Sequence, residues 1–123
     1  MADYKRHKEL PAETRATFRD WLAGELAALG YTVPVTGQVR VNLFVRDAAK
    51  HGIYLSEVML YRYVRAENPA VPTPEVCRQL ALALAALGRY TPFLEVLVKA
   101  GYFQARDLSA YLEEYAAKVK VSA

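Results

Sequence analysis

Two arginines, two tyrosines and two glutamates fall within one short stretch, SEVMLYRYVRAE at positions 56–67. Arginine carries a rigid fork of donors that fits a phosphate or the edge of a guanine. Tyrosine combines a flat apolar ring with a hydroxyl. These are recognition groups and make no catalytic set. The reactive residue types elsewhere are sparse. His7 lies in a basic terminal stretch and His51 precedes a glycine. No HxxxH or CxxC spacing occurs, so a structural zinc site is not expected. Cys77 and His51 could be drawn as nucleophile and base, but each has a plainer structural role. Glu113 and Glu114 read as a solvated helix face. No glycine-rich phosphate loop follows a strand. The expectation is a protein that is not an enzyme and needs no cofactor or metal.

The elements that must position these side chains are legible from apolar spacing. Phe18, Trp21, Leu22, Leu26 and Leu29 recur at helical intervals between Pro11 and Gly30, which predicts a first helix over 11–29. In YTVPVTGQVRV, Val33, Val35, Val39 and Val41 alternate around Thr36–Gly37. That reads as a small hairpin or loop, followed by a helix from about residue 40. Val41, Phe44, Val45 and Ala48 then share a face up to Gly52. Ser56 is a good N-cap for a third helix, whose inner face is Leu60, Tyr63 and Val64. Thr73–Pro74 and Thr91–Pro92 each read as a helix start. Helix four, with Val76, Leu80, Leu82, Leu84 and Leu87, reads as apolar nearly all round and therefore central. Helix five is filled by Phe93, Leu94, Leu97 and Val98. A last amphipathic helix carries Leu108, Tyr111, Leu112, Tyr115 and Val119.

Composition sets the wider bounds. The chain has 123 residues, 54% hydrophobic and 24% charged, which suits one globular domain. No apolar run reaches the ~20 residues of a membrane span. One cysteine and no apolar leader fit a cytoplasmic protein. A net charge of +3 mildly favours an anionic partner. The division expected is a basic arm over 1–10, a domain over 11–103, and a C-terminal helix over 104–123. That helix would either dock on its own domain or serve a dimer.

Two short helices joined by a tight turn inside an all-helical chain is the layout of a helix-turn-helix. The stretch SEVMLYRYVRAENPAVPTPEVCRQLALALAALG resembles the lambda-repressor-like helix-turn-helix domain, the xenobiotic-response-element class of regulators. Ser56 stands as the cap, followed by Leu60, Tyr61, Arg62 and Tyr63, a proline-bearing loop over 69–74, and the ALAALG helix end. PFLEVLVKAGYF is similar to the fifth helix of that family, so the resemblance runs from about Phe18 to Phe103. It implies an all-α fold of five helices, here with an added C-terminal helix. It further implies a homodimer on a two-fold site in double-stranded DNA, and transcriptional control. Carried over by position, Glu57, Val58 and Arg62 would read bases. Arg65, and Arg40 at the start of helix two, would meet phosphate. Ser56 and Tyr61 complete the expected contact set.

The chain departs from the family pattern in the turn between Gly52 and Ser56, which is about two residues longer. Met59 and Ala66 replace a small or polar residue and a frequent glycine. An ungapped register would instead put Ala48, Gly52 and Val58 at the small, turn and core positions, with Asp47 and His51 at apolar ones. Two functions follow. One is a DNA-binding, repressor-like regulator. The other is a protein-binding module on the same scaffold, with RNA polymerase, a toxin or another regulator as partner. In that module the tyrosines and arginines of LYRYVRAE would form an interface hot spot.

Overall fold

The computed structural model describes residues 11–102 and Glu113. The arm expected over 1–10 and, apart from Glu113, the helix expected over 104–123 lie outside the described residues. The described chain is all-helical: α1 Ala12–Ala28, α2 Val41–Ala49, α3 Glu57–Val64, α4 Pro74–Ala86 and α5 Phe93–Lys99. Among the described residues there is no strand, and no helix is long and apolar enough to cross a membrane.

Two helix starts carry side-chain caps, and the expected Thr91 cap of α5 is not made: Pro92 is the N-cap and the Thr91 hydroxyl donates to the Arg89 carbonyl instead. α3 starts at Ser56, whose extended backbone lets Oγ accept from the Met59 N–H at 3.2 Å. Thr73 does the same for α4, accepting from the Val76 N–H at 3.4 Å, with Pro74 in the first turn. α1 stops at Gly30, which takes a φ of +88°. The Tyr31 N–H then reaches back to the Leu26 carbonyl at 2.9 Å and satisfies one of the last carbonyls of the helix. Gly52, at φ +79°, closes α2 in the same way, with the Ile53 N–H on the Ala48 carbonyl. A side chain at either glycine would be strained by the backbone angle alone.

The ambiguous segment between α1 and α2 contains both readings in miniature. Thr32 and Val39 form one antiparallel bridge, and the Gly37 N–H donates to the Val33 carbonyl at 2.7 Å. The Arg40 N–H donates to the Tyr31 carbonyl, and the helix starts at Val41. Proline at 34 and only a few residues on each side leave nothing to extend the pair into a sheet.

The core is one cluster drawn from every helix. α1 gives Phe18, Leu22 and Leu26; α2 gives Val41, Phe44 and Ala48; α3 gives Leu60 and Tyr63. α4 gives Cys77, Leu80, Ala81, Ala83 and Leu84, and α5 gives Val96 and Leu97. Phe18 meets Tyr63 edge-on at 6.4 Å and Trp21 at 5.6 Å, so aromatic packing ties α1 to α3. Tyr31 meets Phe44 edge-on, and its hydroxyl donates to Asp47 at 2.7 Å, which ties the segment after α1 to the last turn of α2. The far side is closed by Tyr102, whose hydroxyl donates to the Pro72 carbonyl, and by the Arg89–Glu25 ion pair.

Two expectations about the core need correction. α4 is not apolar to its neighbours all round: Leu82 is 52% exposed. In α5, Phe93 and Leu94 face outward, and Val96 and Leu97 are the buried pair. A helix packed along one side buries one stripe, and a second apolar stripe simply remains at the surface. The turn before α3 is also decided. Val58 is 63% exposed and Leu60 is buried, so Leu60 and not Val58 is the core residue. Leu55, nearly buried, fills the lengthened turn.

Candidate nucleic-acid interface

α3 spans only eight residues and buries only Leu60 and Tyr63. At 3.6 residues per turn, that one-sided anchoring leaves Glu57, Val58, Tyr61, Arg62 and Arg65 outside. All five are exposed. Arg65 is the C-cap, where the chain returns to an extended conformation. Glu57 is in the first turn, where a carboxylate is favoured by the helix dipole.

Four of these residues, Val58, Tyr61, Arg62 and Arg65, share one open groove of about 800 Å³. Its opposite wall is α1 at Arg19, Asp20 and Ala23, and its end is the turn over Gly37–Val39. Arg40 follows that turn directly, is exposed, and is the N-cap of α2. The structure therefore places four of the expected contact residues on one surface, with Arg40 beside its end. Ser56 and Glu57 are not part of the groove. Ser56 instead caps the helix and borders a small separate cavity of about 190 Å³ with Tyr54, Met59 and Tyr63.

Charge on this face is unevenly balanced. Among the described residues the ion pairs are Arg19–Asp20, Arg46–Asp47, Lys50–Asp47 and Arg89–Glu25. Arg40, Arg62 and Arg65 therefore have no carboxylate partner there. Arg62 donates to the Met59 sulfur at 3.7 Å, and Arg65 Nε donates to the Asn68 carbonyl at 2.9 Å. Both residues are exposed. The groove wall between them is largely apolar, made by Val39, Val58, Val64, Ala23 and the Tyr61 ring.

The perturbed ionisations lie away from this face. Burial pushes the Cys77 thiol up to about 12 and the Tyr63 phenol up to about 12. Burial, then the hydrogen bond to Asp47, raises Tyr31 to about 12, while the same hydrogen bond holds Asp47 below the usual carboxylate range. These shifts accompany packing and the α1–α2 junction. Cys77 is fully buried, 3.9 Å from the Pro72 carbonyl, as a small core hydrophobe. Among the described residues no group of three or more histidine, cysteine, aspartate or glutamate side chains could hold a metal ion.

Two residues at this face were not found by reading the sequence. Arg19 Nη1 donates to the Ala66 carbonyl at 2.8 Å, and Arg15 Nη1 donates to the Asn68 side-chain oxygen at 2.5 Å. Both tie α1 to the connection after α3. Their four-residue spacing beside the Phe18–Leu22–Leu26 stripe was the available signal, since it puts both on one flank of the helix. Comparison with family models, curated proteins and solved structures finds no match to this chain.

Proposed function

We propose that this protein is a DNA-binding regulator of the lambda-repressor-like helix-turn-helix kind. It occupies a two-fold duplex site as a homodimer, with α3 in the major groove. The observation that carries the reading is the outer face of α3. It is short, anchored by only two buried residues, and offers Arg62 and Arg65 with no carboxylate partner among the described residues. Arg62 takes a base edge, and Val58 and Tyr61 present apolar surface of the kind that meets a thymine methyl. Arg65 and Arg40 hold phosphates and set the register of the helix on the duplex. Glu57 accepts from a cytosine amino group, which makes it a selecting residue where phosphate would be repelled. Selection of bound duplexes from a random pool tests this directly. The expected result is a two-fold motif. Absence of binding to any duplex, even at low salt, overturns the reading.

A second reading has its own observation. The groove beside α3 is lined mostly by apolar atoms of Val39, Val58, Tyr61, Val64 and Ala23. An apolar groove with arginines at its rim also suits an acidic, amphipathic segment of a partner protein. In that case affinity resides in Val58 and Tyr61. A Val58→Asp variant then abolishes partner binding, and random duplex is not bound at any salt concentration.

A further inference from the structure

A second cleft, of about 410 Å³, lies on the other side of Arg62 and Arg65. We propose that it is a binding site for a phosphoryl group, with Arg15 as its inner ligand. Three arginines line it, Arg15, Arg62 and Arg65, together with Met59 and Asn68, and no carboxylate lines it. None of the three has a carboxylate within ion-pair distance among the described residues. The Arg15 Nε is buried with no hydrogen-bond acceptor among the described residues, although Nη1 of the same guanidinium is held by Asn68 at 2.5 Å. A buried guanidinium donor requires an acceptor, and three cations facing one space call for an anion.

The frame around the cleft is built rather than incidental. Asn68 adopts a φ of +45°, in the left-handed region that asparagine tolerates better than most residues. Its side chain receives Arg15 and its carbonyl receives Arg65 Nε. The Ala70 N–H donates to the Arg62 carbonyl at 2.8 Å, and Arg19 anchors the Ala66 carbonyl. The loop is thus fixed to both helices, and Asn68 positions the Arg15 and Arg65 forks before any ligand arrives. A dianionic phosphoryl group uses three arginines better than a single carboxylate does. The cleft is also larger than one phosphate, which leaves room for whatever the phosphate is attached to. That source is either the backbone of a duplex held by α3, which rests on the reading above, or a free phosphorylated small molecule, which does not.

The test uses the full chain with nitrogen-15 arginine side chains observed by NMR. Inorganic phosphate is titrated against chloride at constant ionic strength, and a random-sequence duplex is titrated separately at low salt. The expected result is a saturable shift of the Arg15 Nε–H resonance with phosphate, weakened about tenfold in Arg15→Lys, which keeps the charge but loses the fork. A matching shift with duplex, together with a salt slope reduced by about one in Arg15→Gln, assigns the phosphate to DNA. Saturation by phosphate with no duplex binding supports the site for a free ligand while the DNA reading fails. Duplex binding with Arg15 unmoved in both titrations overturns the site and leaves the DNA reading standing. An equal response to chloride also overturns it. The wild-type titrations decide the matter even where a variant fails to fold.

Discussion

Replacing Arg65 by alanine separates charge from shape at the proposed interface. Three arginines, Arg40, Arg62 and Arg65, face outward on or beside the groove with no carboxylate partner among the described residues. Each phosphate neutralised contributes about −0.9 to the slope of log affinity against log salt, so the two phosphate contacts assigned to Arg40 and Arg65 give roughly −1.8 per protomer. Raising salt from about 50 to about 200 mM then weakens binding roughly 12-fold. In Arg65→Ala the slope falls to roughly −0.9 and the same change costs about 3.5-fold. The loss is shared by all sequences, because a phosphate contact carries no base information. Arg65 also holds the Asn68 carbonyl. Arg65→Lys therefore serves as the control, since it keeps the charge and the slope while giving up the fork. Fluorescence anisotropy with a random duplex across a salt series provides the measurement. A slope unchanged in Arg65→Ala would refute the argument, because it would mean that Arg65 displaces no counterion.

Further outcomes follow from the packing. Ser56→Ala removes the only side-chain cap of an eight-residue helix and lowers unfolding stability by about 1 kcal/mol in urea titration, with Met59 amide exchange accelerated. Phe18→Ala empties a fully buried site between Trp21 and Tyr63 and costs about 3–5 kcal/mol, read from thermal or urea unfolding. Tyr31→Phe removes the hydroxyl that holds the Asp47 carboxyl down, so its titration by NMR moves up toward the ordinary range. Because the folded value is depressed, Asp47 stabilises the fold above its unfolded value of about 3.9, and this contribution fades as pH falls through the folded value. The difference between Tyr31→Phe and wild type is therefore present near neutrality and vanishes in acid. Cys77 should resist thiol reagents at pH 8 in the folded protein and react at once in urea, since burial raises its ionisation to about 12. The sign is opposite to that of Asp47. The contribution is complete below the unfolded thiol value of about 8.5 and is lost toward 12, by roughly 1.4 kcal/mol per pH unit.

Much of the architecture was legible because it is encoded over short distances. Apolar spacing of three and four residues placed α1 and the inner face of α3, and Ser56, Thr73 and Pro74 marked helix starts by chemistry that involves only their near neighbours. The exposed face of α3 followed from the same arithmetic: once Leu60 and Tyr63 point inward, Val58, Tyr61, Arg62 and Arg65 point outward. Other features depended on which element packs against which. The surplus leucine of α4 and the aromatic start of α5 looked like core by composition, yet Leu82 and Phe93 stand at the surface because no described helix covers them. The register before α3 was open in the sequence, since Val58 and Leu60 are equally apolar. Burial of Leu60 beside Tyr63 decided it. Arg15 and Asn68 are 53 residues apart, and no local pattern couples them. Local sequence specifies helices and their faces because those depend on a few adjacent side chains. The cleft that joins Arg15 to Arg62 and Arg65 exists only because Phe18 and Tyr63, packed edge-on in the core, bring α1 against α3.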